Sequence, residues 1–290
     1  MSTHVDAGNI GDAWLGAYSA LATTGELVNL TVTIADPLHE DVGIRRTIEA
    51  RLAEESRRKR DFRAQTMHTV ANTIFPIGLY RPERPGAVQR FYERVEAIEG
   101  ARRHSRKTGW GTYIGRLVSY PSPDGKPTNQ LAQVLDVLCA ERNYKNRYEM
   151  PIIAPDRDGP VGGSGGSAVL QGGRGTAAPA RGGPCLAHIS LSSLHGAVSM
   201  VALYRNHTYE DRAYGNFLGL ARLLSFLATE SGQAVGELMV VASHADAILP
   251  RRKELLRAAS SVAGETRPIE LSARPLGAPM SDLAMPESTT

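Results

Sequence analysis

Pro184-Cys-Leu-Ala-His-Ile-Ser-Leu-Ser-Ser-Leu-His-Gly-Ala-Val-Ser-Met-Val-Ala-Leu-Tyr-Arg205 is the most structured-looking stretch of the chain. Apolar and polar residues alternate through Ala187–Leu194 and again through Val198–Arg205, with His195-Gly196-Ala197 between them. A period of two on both sides of a short Gly-containing break reads as a β-hairpin. Downstream, residues 211–230 carry Phe217, Leu218, Leu220, Leu223, Leu224, Phe226 and Leu227. That pattern is a helix with almost no polar face, which the rest of the fold has to surround. Gly236-Glu-Leu-Met-Val-Val241 follows as a third strand and leads into His244-Ala-Asp246.

Upstream of the hairpin, residues 8–25 read as a short helix and Glu26–Ile34 as a strand rich in β-branched residues, ended by Pro37. Val42, Ile44, Ile48 and Leu52 predict a helix over roughly 41–60. A second helix is expected over 64–75, stopped at Pro76, and another over about 86–99 with Val88, Phe91, Tyr92, Val95 and Ile98. Gly111–Tyr120 reads as a strand, with a turn after it at Pro121–Gly125. Asn129 caps a helix whose buried face is Leu131, Val134, Leu135 and Leu138, and Cys139 at its end is expected to be a small buried hydrophobe. Residues 159–183 are dominated by Gly and Ser, which bury no apolar area. They read as a mobile loop, either a tolerated surface insertion or a flap that orders over a ligand. The expected organisation is a single domain over 1–264, followed by a Pro/Ser/Thr-rich disordered tail over 265–290.

Bulk properties narrow the class. The chain has 290 residues, 42% hydrophobic and 22% charged, with a net charge of +3 and a pI near 8.9. It is long enough for a full core. No apolar run reaches the length of a membrane span, and the first residues lack the basic-then-apolar order of a secretory signal. Two cysteines, Cys139 and Cys185, make neither a disulfide framework nor a four-cysteine zinc site, so a reducing cytoplasm is expected and no metal. The basic clusters at Arg57–Arg60 and Arg102–Lys107 lack interleaved aromatics or a reading module, which argues against nucleic acid as a partner.

The residues around the hairpin carry chemistry. Cys185 follows Gly182-Gly183-Pro184, which lets backbone crowd against a thiol. A thiol nucleophile needs a nearby positive charge to raise its thiolate fraction, and Arg205 lies on the returning strand. A guanidinium there suits a phosphate. Asn216 offers both a donor and an acceptor, the pair that reads the amide edge of a base. His244 or Asp246 can supply general acid or base work if either reaches the site. Singly, each residue also has a plain structural explanation: packing, an ion pair, a helix cap.

The ordered series Pro184-Cys185, Leu203-Tyr204-Arg205-Asn206, Ala213-Tyr214-Gly215-Asn216, Gly236-Glu237-Leu238 and His244-Ala245-Asp246-Ala247-Ile248 resembles the catalytic half of the thymidylate synthases. Upstream, Gly115-Arg116 and Asn129-Gln130-Leu131 resemble that family's Tyr-Gly strand and Asp-Gln-Leu helix start, so the likeness spans roughly residues 64–250. The resemblance implies an α+β fold, a mixed sheet packed against helices, and a homodimer stacked sheet to sheet. It implies a pyrimidine nucleotide as ligand, Cys185 adding to C6, and a one-carbon unit placed at C5 from 5,10-methylenetetrahydrofolate. Arg205 would hold the phosphate and Asn216 the base edge, while Arg147 or Lys145 would reach the partner subunit's phosphate. Several positions depart from the family. Tyr204 stands for a Gln, Asn206 for a Ser, Thr208 for a folate-contacting Asp and Asn72 for the general-base Glu. Asp246 and Ile248 stand where the family has its ribose-binding His and Tyr. These departures leave two expectations: a methyl- or hydroxymethyltransferase with altered substrate chemistry, or a nucleotide-binding protein that kept the fold without turnover.

Overall fold

The computed structural model describes residues 2–102, 110–122, 125–140, 148–154, 183–269 and 271. The chain folds as α+β around a mixed sheet. Its strands lie in the order β1 (Thr3–Ala7), β2 (Glu26–Ile34), β8 (Ala234–Asp246), β6 (Ala197–Tyr204), β5 (Leu186–Leu194) and β4 (Glu149–Pro151), and β7 (His207–Thr208) pairs with β8 beyond the end of β6. The pairs β1–β2, β6–β8 and β7–β8 are parallel, and β2–β8, β5–β6 and β4–β5 are antiparallel. His195 and Gly196 form the β5–β6 turn with φ of 52° and 76°, the paired left-handed geometry that matches the twist of a tight hairpin.

One face of this sheet is packed, and on the other, among the described residues, Val201 and Leu203 of β6 are exposed. Leu30, Val32 and Ile34 of β2, Val198, Met200 and Ala202 of β6, and Leu238 and Val240 of β8 point to the core at a period of two. Helices α1 (Ile10–Thr24) and α7 (Tyr214–Glu230) lie against them. Every residue of α7 from Tyr214 to Ala228 is buried. Its far side meets α3 (Met67–Ala71) across two glycines one turn apart. A Cβ on Gly215 would sit 2.6 Å from the Val70 Cβ, and one on Gly219 would sit 2.8 Å from the Ala71 carbonyl. Around this centre lie α2 (Val42–Arg58), α4 (Ala87–Arg102), α5 (Tyr113–Val118), α6 (Gln130–Cys139) and α8 (Arg252–Ser261). A two-stranded ribbon pairs β3 (His39–Asp41) with β9 (Thr266–Pro268).

The structure corrects several local expectations. Gly111–Tyr120 is not a strand but contains α5. Thr112 caps that helix by accepting from the Gly115 N–H at 3.1 Å, and Ile114, Leu117 and Val118 fall at helical spacing toward the core. Cys139 is exposed, because the buried stripe of α6 ends at Leu138 and the next residue turns about 100° away from it. The helix expected over 64–75 contracts to α3, capped by Thr66. β8 runs well past the apolar run read from the sequence and takes in His244–Asp246, held there by β2 on one side and β7 on the other. Pairing continues past residue 264 through β9. Arg147, Lys145 and residues 159–182 of the Gly-rich segment lie outside the described residues.

Three strands of the sheet are irregular at one level, and β8 runs through it unbroken. In β2, Asn29 has φ of 55° and stands opposite Ser243 without a ladder pair, the register being the same on either side in Val28–His244 and Leu30–Ala242. β5 shifts register between Leu186 and His188, and Arg205-Asn206 separates β6 from β7. Bulges bend strands and re-aim side chains. Here they form a rim at which Cys185, Arg205 and Asn206 come together.

The close approach of α7 and α3 makes Gly219 a sensitive position. Gly219→Val is expected to cost about 1–3 kcal/mol through overpacking. Chemical denaturation measures this, and an unchanged midpoint would show that the two helices part freely.

Candidate functional site

A cavity of about 640 Å³ opens at that rim. Its walls come from α3 and the residue after it (Thr69, Val70, Asn72), the start of α5 (Trp110, Thr112, Tyr113), Cys185, and the segment from Asn206 through Asn216. The elements explain the convergence. The hairpin register carries Cys185 beside Arg205, whose N–H donates to the Cys185 carbonyl at 2.9 Å. The Cys185 N–H donates to the Tyr113 hydroxyl at 3.3 Å, tying the cysteine to α5. The chain then leaves β7 through a wide five-residue π turn, Tyr209–Ala213, before α7 begins. Glu210, fully buried in that turn, accepts from the Ile248 N–H at 2.9 Å, from the Leu249 N–H at 3.3 Å and from the Tyr18 hydroxyl at 3.0 Å. The Trp14 indole donates to the Tyr209 carbonyl at 2.9 Å. The turn is thus fixed from α1 and from the segment after β8.

Of the residues singled out in the sequence, Cys185, Asn72 and Asn216 line the cavity together. Burial pushes the Cys185 thiol up, while the guanidinium groups of Arg205 and Arg212 pull it down. The upward effect wins, so the resting group is a thiol and needs a proton acceptor to react. Asn216 is buried, with its side-chain amide 3.1 Å from His207 Nε2. Asn72 ends α3, and its carbonyl accepts from the buried Arg222 at 3.3 Å.

The other candidates stand behind or beside the wall. Arg205 does not line the cavity but lies close enough to act on the Cys185 thiol. Tyr204 is fully buried and stacks on His207 with ring centroids 4.2 Å apart. His244 Nδ1 contacts Asn206 Oδ1 at 2.6 Å, and Asp246 Oδ2 accepts from Asn206 Nδ2 at 3.5 Å. Both residues therefore hold Asn206, which does line the cavity. Among the described residues no three His, Cys, Asp or Glu side chains are grouped to hold a metal, and no helix is long and apolar enough to cross a membrane.

Sequence reasoning passed over four wall residues: Tyr113, His207, Asp211 and Arg212. Arg212 Nε lies 3.3 Å from Asp211 Oδ2, and its Nη1 donates to Gln65 Oε1 at 2.6 Å. Burial pushes the Asp211 carboxyl up, against the pull of Arg212. The signal was Glu210-Asp211-Arg212, three charged residues set directly before a densely apolar helix. No family model matches the chain, and no curated protein matches it.

Burial of His207 lowers its pKa from 6.5 to about 3. Because the folded value lies below the unfolded one, the unfolded chain holds the extra proton between those limits. The stability this histidine contributes is complete above about pH 6.5 and is lost as pH falls through the window. Relative to His207→Gln, the wild-type unfolding free energy is expected to drop more steeply below pH 6.5, by up to about 1.4 kcal/mol per pH unit. Denaturation at a series of pH values measures the difference, and parallel curves would count against a neutral buried His207.

Proposed function

We propose that this protein is a thymidylate-synthase-like transferase that places a one-carbon unit, methyl or hydroxymethyl, at C5 of a pyrimidine nucleotide or related heterocycle. The observation that carries this reading is that Cys185 shares one cavity wall with Asn216 and Asn72. A thiol is thereby set among carboxamides that can read a neutral imide or amide edge. Addition of the Cys185 sulfur to C6 makes C5 nucleophilic, and departure of the sulfur restores the ring. Arg205 and Arg212 supply positive potential beside the sulfur, suited to a substrate that carries phosphate.

The walls are a poor fit for a reduced folate. The amino-pyrimidine edge of a pterin presents N–H donors that a carboxylate would accept, and the carboxyl among the described wall residues, Asp211, is already ion-paired to Arg212. Methylenetetrahydrofolate is therefore a donor to test rather than one the cavity calls for. A second reading, a nucleotide-binding protein without turnover, is favoured by the raised Cys185 thiol and by Asn72, whose carbonyl is engaged by Arg222.

The face of the sheet away from α7 suits the homodimer that the family likeness implies. Val201 and Leu203 of β6, which alternate with the buried Met200 and Ala202, stand 40% and 39% exposed on it. Leu203→Glu is expected to shift the protein from dimer to monomer in sedimentation equilibrium. A wild-type monomer at micromolar concentration would sink the dimer.

Exchange of the C5 hydrogen of dUMP, dCMP or UMP with deuterated water needs sulfur addition and no donor, so it tests the function directly. Wild type is expected to exchange at least one of them, and Cys185→Ser none. Thermal shifts with these nucleotides but no exchange would favour the binding protein, since a bound ligand raises apparent stability by mass action. Adding methylenetetrahydrofolate to the same panel reads whether it binds.

A further inference from the structure

Reversible addition of a thiol across a carbon–carbon double bond needs a group that carries a proton between sulfur and carbon. Asn72, at the position where the family likeness would put an acid, has a carboxamide and carries none. The other ionisable groups of the described cavity wall are few. His207 stays neutral down to about pH 3, its Nε2 is engaged by Asn216 and its ring is stacked on Tyr204. Tyr113 is pushed up to about 12 by burial, and its hydroxyl already accepts from the Cys185 N–H. Arg212 has no proton to give near neutrality. Asp211 is the one carboxyl among the described wall residues.

The setting of Asp211 fits that work. It sits in the π turn, the kind of wide turn that recurs at functional sites, where α1 and the segment after β8 hold the backbone. Arg212 braces Oδ2 at 3.3 Å and is itself anchored on Gln65. Oδ1 is buried and has no hydrogen-bond partner among the described residues. The charged groups around it are Arg212 on its own turn and Asp246 on β8, with Arg205 and the Cys185 thiol nearby at the rim.

We propose that Asp211 is the proton-carrying catalytic residue of this cavity, taking the proton of the Cys185 thiol as sulfur bonds to the substrate and returning it to the adjacent carbon. In the addition the S–C6 bond forms and the C5–C6 double bond becomes single. The thiol proton passes to the Asp211 carboxylate and then to C5. In the reverse direction Asp211 removes the C5 proton and the sulfur leaves with the bonding pair. Nothing is oxidised or reduced, and exchange of the Asp211 proton with water labels C5. The inference rests on the function proposed above for the nucleotide, but the thiol chemistry can be read without one.

Two measurements on Asp211→Ala, each with and without added formate, test it, with Asp211→Asn as an isosteric second variant and thermal unfolding as the control for folding. In the first, C5 exchange of the nucleotide that wild type labels is expected to slow about 100-fold and to recover with formate concentration. In the second, Cys185 is modified by acrylamide, whose addition must deliver a proton to carbon, and by iodoacetamide, whose substitution need not. The ratio of the two rates is expected to fall about 10-fold and to be restored by formate. A role confined to folding or to pairing with Arg212 would not respond to formate. Exchange within threefold of wild type, or an unchanged ratio in both variants, overturns the assignment. A wild type that exchanges no nucleotide while the ratio still falls would sink the nucleotide reading and leave Asp211 as the proton partner of Cys185.

Discussion

Burying a helix around its whole circumference is the constraint from which the rest of this molecule follows. From Tyr214 to Ala228 every residue of α7 is buried, so the sheet, α1 and α3 must each meet it closely, through apolar or very small side chains and, at Arg222, through His68 and Asn72. The sheet does so through the inward side chains of β6 and β8. On the α3 side Gly215 and Gly219 remove the side chains altogether, and the two backbones come into contact. The start of such a helix is also a fixed point. Asn216 is held within its first turn, and the π turn before it cannot drift, because Glu210 and the Tyr209 carbonyl are bound from two other elements.

The cavity grows from that rigidity meeting an irregular sheet. A regular ladder would carry β6 straight on, but the β5 shift and Arg205-Asn206 interrupt two adjacent strands at the same level, while β8 on the other side of β6 runs through. The backbone there turns aside, leaving room above the sheet. Into that space come a thiol, three asparagines, a neutral histidine and a carboxyl–guanidinium pair. Its electrostatics are balanced rather than strongly of one sign. The two arginines near Cys185 lower its thiol less than burial raises it, and the partner that could accept its proton lies across the wall at Asp211. The cysteine, asparagine and arginine positions are those the thymidylate-synthase likeness singles out, whereas Asp211 and Arg212 owe nothing to that likeness.

How much of this was legible can be traced residue by residue. The β5–β6 hairpin, β2, α2, α4 and the buried α7 were readable, because each has a clear pattern: alternation around His195-Gly196, the spacing of Val42, Ile44, Ile48 and Leu52 in α2, a dense apolar run in α7. Short elements misled. The β-branched and aromatic residues of 111–120 imitate a strand, yet α5 forms there because Thr112 caps it and its apolar residues face α4 and α6. Cys139 could not be assigned to the outside without knowing that the α6 stripe stops at Leu138.

The sequence by itself determined which segments must be buried and which residues could carry chemistry, since hydrophobic period and side-chain type are local properties. It marked Cys185, Asn216 and Asn72, and these three do share a wall. Only the tertiary structure decided that His244 and Asp246 stand behind Asn206, that Tyr204 is packed against His207, and that Asp211 and Arg212 face the thiol's cavity. The physical reason is that strand bulges and the π turn set where a side chain is aimed. The turn is fixed by long-range hydrogen bonds, such as Trp14 to Tyr209 and Ile248 to Glu210, and the β5 shift by its pairing with β6, so both depend on residues apart in the chain.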